Sequence, residues 1–392
     1  MKPSFVAGNR VELLETGAQY FPALIAAIDA ATDEVHLQTY IFADDATGRA
    51  VAAALARAAL RGIAVRLMVD GFGSREFPAR FGEELMATGV EVLIYRMEIA
   101  SWRLRRHRLR RLHRKVAVID GRIAFVGGIN VISDWDTGDT PEQIPPRHDY
   151  AVRLEGPLLD GIHASTRRIW QTVRWARLGR RYDEAPRRPP DDTPRGSIRA
   201  AFVVRDNLRH RRDIEEAYLG AIVEAKHEIL LANAYFLPGR RFRRALTDAA
   251  QRGVTVSVLL QGRVEYALLH HAAQALYGAL LGCGIRIYEY QPSFLHAKVA
   301  VIDGRWSTVG SSNIDPFSLL LAREANVVVD DTRFAAELAA SLRRATAAGA
   351  REVRHEDWRG ASLPTRIMRW LAYGLVRLAM GIAGYGRNDY QA

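Results

Sequence analysis

The chain contains itself twice. Ile28–Gly71 reads IDAATDEVHLQTYIFADDATGRAVAAALARAALRGIAVRLMVDG, and Ile222–Gly262 reads IVEAKHEILLANAYFLPGRRFRRALTDAAQRGVTVSVLLQG. Each copy runs from a helix end through an apolar strand, a short loop, a helix, an Arg-Gly turn and a second apolar strand. A repeat of this length constrains the fold more than any single residue does, because each copy must bury its own helix–strand layers. Strands are expected at Val35–Phe42 and Ile229–Phe236, apolar along their length because helices cover both sheet faces. Helices are expected at Thr47–Arg61 and Arg240–Arg252, stopped by Gly62 and Gly253. The expected fold class is α/β: two pseudosymmetric lobes, each a mixed sheet flanked by helices, with the active site between the lobes.

The lobes are expected at 1–177 and 199–360. Between them Leu178–Gly196 reads LGRRYDEAPRRPPDDTPRG, charged and proline-rich without apolar periodicity, so 178–198 reads as an exposed linker. Residues 361–392 read as an amphipathic membrane-associating tail. Asp134–Pro146 reads as an acidic loop, either a lid or a solvated insertion.

The duplication continues into the residues that carry chemistry. One copy reads His113-Arg-Lys115-Val-Ala-Val-Ile-Asp120, then six residues, then Gly127-Gly128-Ile-Asn130. The other reads His296-Ala-Lys298-Val-Ala-Val-Ile-Asp303, then six residues, then Gly310-Ser311-Ser-Asn313. In extended chain, residues i and i+2 share a face, so each histidine projects with its lysine. Lobes packed about a pseudo-twofold axis would bring both pairs into one cleft, and a phosphodiester suits such a cleft. Lysines and the amides of Asn130 and Asn313 can hold non-bridging oxygens. One neutral histidine can attack phosphorus, and the other, protonated, can release the leaving alcohol and then deprotonate the acceptor. Asp120 and Asp303 read more as braces for the turn after each motif strand than as substrate contacts. Ser311 stands where the first copy has Gly128, so the first copy is expected to hold phosphate oxygens less fully.

At these residues the sequence resembles the phospholipase D superfamily, whose mark is a duplicated H-x-K-x4-D motif, and within it the bacterial cardiolipin synthases of the short B type. Asn9–Glu15, Arg147–Gly156, Ala232–Phe236 and Val309–Ser318 extend the likeness over nearly the whole chain. The resemblance implies a bilobal fold, a phosphohistidine intermediate, and no cofactor or metal. It implies that Asp149 orients His296 and Glu324 orients His113, and that the first histidine is the nucleophile. It also implies phospholipid substrates: phosphatidylglycerol, and phosphatidylethanolamine as a candidate donor.

The formal charge of +11 favours anionic partners, and a single cysteine, Cys283, excludes an internal disulfide. The first ten residues lack the apolar core of a secretory signal, and no run of 18 apolar residues suggests a membrane span. Action on lipid would therefore be peripheral, on an anionic membrane surface, which in a bacterium means the cytoplasmic face of the inner membrane. Trp102–Leu112 (WRLRRHRLRRL) could gather anionic headgroups, or serve as a solvated loop or nucleic-acid arm. In Arg366–Ala383, Arg366, Arg369, Tyr373 and Arg377 form one stripe. Ile367, Leu371, Leu375, Leu378 and Ile382 form an apolar face, with Trp370 at the border. That pattern fits an interfacial helix, or a helix docked on the protein's own core. Trp170 and Trp175 mark a weaker second surface. The leading expectation is cardiolipin synthesis. The alternatives are a phospholipase D acting with water or other alcohols, a nuclease of the same superfamily, and a non-catalytic membrane scaffold.

Overall fold

The computed structural model describes residues 3–96, 110–135, 144–178, 189–206, 209–316, 318, 321–360 and 362–382. Most of the basic stretch Trp102–Leu112, residues 136–143 of the acidic loop and residues 179–188 of the linker lie outside the described residues.

The first half supplies β1 (Val6–Glu15), β2 (Glu34–Thr39), β3 (Ala64–Asp70), β4 (Glu91–Tyr95), β5 (Arg111–Leu112), β6 (Lys115–Ile119), β7 (Ile123–Gly127) and β8 (Tyr150–Glu155). The second supplies β9 (Ile198–Arg205), β10 (Glu228–Asn233), β11 (Thr255–Gln261), β12 (Arg286–Tyr290), β13 (Lys298–Ile302), β14 (Trp306–Gly310), β15 (Ala322–Asp330) and β16 (Ala350–Glu352). Parallel pairs β2–β3 and β10–β11 are crossed over by the helices Ala46–Leu60 and Arg240–Gln251. The motif strands pair antiparallel on the other side, with Val35 opposite Ile119 in one half and Ile229 opposite Ile302 in the other. The halves therefore repeat in register as well as in sequence. Gly62 and Gly253 have φ of 85° and 90°, the left-handed stop that glycine adopts without a Cβ penalty.

The two mixed sheets are continuous. β1 pairs with β8 on one side and β9 on the other, so the order runs β16-β12-β11-β10-β13-β14-β15-β9-β1-β8-β7-β6-β2-β3-β4. Asn9 secures this seam: its amide donates to the carbonyls of Val6 and Ile198, and its Oδ1 accepts from Leu158.

β2 and β10 end at Thr39 and Asn233, three residues earlier than the apolar runs suggest. The chain leaves the ladder there because Ile41 N–H donates to Asn130 Oδ1 and Tyr235 N–H to Asn313 Oδ1. Each motif strand is buried on both faces by alternation. Val116, Val118, Val299 and Val301 share one central core between the lobes. Ala117 and Ile119 face the first half's outer helices, and Ala300 and Ile302 face the second's. That central core brings the two motifs face to face.

The C-terminal helix, Leu363–Ile382, is docked, but by the opposite side from the one a core-facing helix would use. Ala372 and Val376 pack on Leu237, Ala272 and Leu276. Arg369 Nε donates to Gln274 Oε1 (3.0 Å), and Arg243 Nη1 donates to Tyr373 Oη (3.3 Å). The side bearing Arg369 and Tyr373 thus faces protein. Ile367, Leu371 (68% exposed), Leu375 and Leu378 face outward. No helix among the described residues is long and apolar enough to cross a membrane.

Candidate active site

Each motif histidine is held by the other lobe. His113 N–H donates to the Arg323 carbonyl (3.0 Å), and its Nδ1 lies 2.9 and 3.1 Å from the two oxygens of Glu324. His296 N–H donates to the His148 carbonyl (2.8 Å), and its Nδ1 lies 2.6 Å from Asp149 Oδ2. In both halves the residue before the acid grips the backbone and the acid grips the ring. A carboxylate at Nδ1 fixes the hydrogen there, which leaves the Nε2 lone pair for another partner.

The lysines join the same space. Lys115 Nζ donates to the His113 carbonyl (2.8 Å), and Lys298 Nζ donates to the His296 carbonyl and lies 3.6 Å from Asp149 Oδ2. Burial, then the neighbouring Lys298, pushes Lys115 down to about 7. Burial, then Lys298, pushes His296 down to about 3. His113 and Lys298 are lowered by burial too. Asp149 stays below the ordinary carboxylate range although burial opposes it, because Lys298 and His296 stand against it. Without a ligand, this cleft disfavours the very protons that an anion would call in.

Several residues that complete the site were not singled out in the sequence. Asp70 Oδ2 accepts Leu112 N–H (2.7 Å), and Gln261 Oε1 accepts Leu295 N–H (2.8 Å). These are matching strand-end residues, each clamping the residue just before a histidine. The signal was present in the repeat, where Asp70-Gly71 aligns with Gln261-Gly262. Tyr40 packs edge-on against the His113 ring (centroids 4.9 Å apart) and lies under Lys115 Nζ (5.5 Å). Its counterpart is Ala234, so among the described residues this aromatic wall has no equivalent at His296. Tyr235 Oη donates to Glu265, and the Tyr266 ring packs on Tyr235.

Ser311 differs from its expected role. Its hydroxyl donates to Glu324 Oε2 (2.5 Å) and accepts Ala325 N–H (3.0 Å), so it steadies the acid behind His113. In the first lobe a Cβ on Gly128 would fall 2.4 Å from Asp149 Oδ1. The shorter aspartate occupies the room that a side chain there would need. The asymmetry therefore concerns how each acid is seated.

Asn130 and Asn313 each spend Oδ1 on a backbone N–H, which leaves the amide NH2 for another acceptor. Asp120 and Asp303 lie at the far ends of β6 and β13, roughly 16 Å of extended chain from the lysines. Asp120 accepts the N–H groups of Thr32, Asp33 and Glu34, and Asp303 those of Lys226, His227 and Glu228. Both sit in the left-handed region, at φ 51° and 50°.

Among the described residues, the groups that could hold a metal reduce to Glu34, His36 and His163. This buried cluster lies at the Asp120 end of β2. Arg66 Nη1 donates to Glu34 Oε2 (3.0 Å) and lies 3.4 Å from His36 Nε2, so a cation already occupies its centre.

The family model described as "Cardiolipin synthase, PLD-like domain" matches residues 24–135 and 218–346, one motif in each segment. Cardiolipin synthase B of Escherichia coli (strain K12) is 39% identical over 363 residues, spanning 90% of this chain and 84% of that protein. Cardiolipin synthase A of Pseudomonas putida is 31% identical over 354 residues, spanning 90% and 71%. The crystal structure of phosphatidylserine synthase from Haemophilus influenzae Rd KW20 superposes with a TM-score of 0.69 at 12% identity, covering 98% of this chain and 97% of that one. At that identity the likeness speaks for the fold.

Proposed function

The chain belongs to the cardiolipin synthase family of phospholipase D-like proteins, and from that premise we propose that it moves a phosphatidyl group from a phospholipid to the headgroup hydroxyl of phosphatidylglycerol. The observation that carries the reading is the crossed pairing of His113 with Glu324 and His296 with Asp149 around two buried lysines.

His113 attacks phosphorus through Nε2. Tyr40 against its ring and the seated Glu324 hold it in line. Binding of the anionic substrate protonates His296, and the bond from phosphorus to the leaving alcohol breaks as His296 gives that alcohol this proton. The acceptor hydroxyl then attacks the phosphohistidine, its proton passes to His296, and the phosphorus–nitrogen bond breaks. Lys115, Lys298 and the amides of Asn130 and Asn313 carry the charge on the non-bridging oxygens. Asp70 and Gln261 position the backbone, and Asp120 and Asp303 brace the turns. The test is incubation with labelled phosphatidylglycerol, with and without phosphatidylethanolamine. Cardiolipin is the expected product. Phosphatidic acid alone would replace this reading with hydrolysis, and cleavage of single-stranded DNA with a nuclease.

The electrostatics predict proton uptake on anion binding. A lysine held near 7 is largely neutral at pH 8, and a bound tetrahedral anion raises it. Calorimetry with tungstate, in buffers of different ionisation enthalpy, should show at least one proton taken up at pH 8. Uptake through Lys115 fades below about pH 6, where the group is already charged. Lys115→Met should lower it by about one proton. No exchange, or release, would contradict the charge balance described.

The outward face of the C-terminal helix suits insertion into the membrane interface. With Ala267–Gln274 it bounds a groove of about 640 Å³, apolar apart from His271. The exposed Arg366 beside that face suits anionic headgroups, so we place the enzyme peripherally on a phosphatidylglycerol-bearing surface. Burying a leucine contributes about 1.5–3 kcal/mol. Leu371→Glu with Leu375→Glu should therefore weaken sedimentation with anionic vesicles at least ~10-fold, with Tm unchanged. Unaltered binding would remove the helix from the membrane contact.

A further inference from the structure

On the reverse side of the first motif strand lies a basic cavity that the reaction does not use. Alternation turns Arg114 away from His113 and Lys115, to line a space of about 430 Å³ between the helix Leu159–Leu178 and the end of β9. Arg114 is 1% exposed. Its hydrogen bonds go to two neutral hydroxyls, Ser165 Oγ and Thr166 Oγ1, both at 3.0 Å, and its Nε has no partner. Among the described residues no carboxylate pairs with it. Arg323 stands beside it, and burial together with that second guanidinium pushes Arg114 down to about 9. The fold itself does not require a cation here, since the matching residue of the other lobe is the buried Ala297.

A buried guanidinium offered only hydroxyls is short of an anion. The remaining wall supports one. Arg205 and Arg323 line the same cavity, the exposed Arg168 stands at its rim, and Leu158, Ile169 and Phe202 make an apolar side. Asp160 and Asp206 also line it, so the four arginines keep an excess of two positive charges. Nη1 of Arg205 donates to the Ala322 carbonyl, and Nε of Arg323 to Tyr95 Oη (3.2 Å), which fixes the position of both arms.

We propose that this cavity is a second phosphate-binding site, with Arg114 as its buried ligand and Arg168 as its outer one. The shared chemistry is a terminal phosphate dianion, whether inorganic phosphate or the monoester head of a phosphatidic acid. Occupancy would bear on the reaction centre directly, because Arg114 separates His113 from Lys115 and Arg323 supplies the carbonyl that holds His113.

Calorimetric titration of the full chain with inorganic phosphate tests this without reference to turnover. Two sites are expected, one lost in Lys115→Met/Lys298→Met and the other in Arg114→Met. Arg168→Glu, at an exposed position, should weaken the second site at least ~10-fold with the fold intact, and decides the matter if Arg114→Met does not fold. A parallel titration with soluble dihexanoyl phosphatidic acid distinguishes the sources. Binding at least ~10-fold tighter than phosphate, and sensitive to Arg168→Glu, marks a lipid head, while equal binding marks free phosphate. A single site, lost only with the lysines and indifferent to Arg168→Glu, would overturn the proposal.

Discussion

Alanine at His113 or at His296 is expected to lower phosphatidyl transfer by about 10⁴-fold or more, and the double variant by no more than either single change. In the proposed mechanism the two rings act on one phosphorus atom in sequence, so removing either stops the cycle and removing both adds little. The variants should differ in how they fail. A substrate with a p-nitrophenolate leaving group needs no proton from His296. The His296→Ala protein should therefore still form an adduct on His113, seen by mass spectrometry as a phosphatidyl group retained on the peptide containing Leu112 and His113. His113→Ala should form none. An adduct on His296 instead would exchange the two roles, and near-normal transfer by both variants would remove the shared site altogether.

Gly128→Ser is expected to cost about 10²-fold in turnover, the scale of an ångström-sized misplacement of a catalytic group. The new Cβ would stand 2.4 Å from Asp149 Oδ1, so the carboxylate must move away from His296. The change looks conservative, because the second lobe carries serine at the matching position. There the hydroxyl donates to Glu324, whose longer side chain leaves room for it. Ser311→Gly should cost only about 10-fold, since Glu324 keeps His113 and loses one neutral donor. Substrate affinity should change little in either variant. A Gly128→Ser protein with full activity and an unchanged Tm would show that Asp149 does not need its present seat.

How much of this was legible in the sequence depends on whether the signal was local. The α/β repeat, the motif strands and the identity of both histidine–lysine pairs follow from spacing and alternation, which a strand imposes on its own residues. The family likeness proposed Asp149 and Glu324, which no spacing rule reaches, because they lie 147 and 211 residues from the rings they meet. Asp70 and Gln261 escaped notice because a strand-end residue that accepts one backbone N–H has no composition of its own. Tyr40 escaped because its partner is a ring 73 positions away, known only once the lobes close. Helical periodicity divides the C-terminal helix into an arginine stripe and an apolar face. Which face meets protein was not legible, because docking is decided by the small residues Ala372 and Val376 and by Arg369, whose head finds Gln274. A helical wheel ranks such residues low or assigns them to water.

The exchange of backbone and carboxylate between lobes also makes each half depend on the other. A nascent chain that has emerged only as far as the linker holds His113 without the carbonyl that receives its N–H and without the acid behind its ring. Those partners reside at Arg323 and Glu324, on β15 of the second half. The first half of the polypeptide therefore carries a motif whose histidine nothing orients until the second half has folded against it.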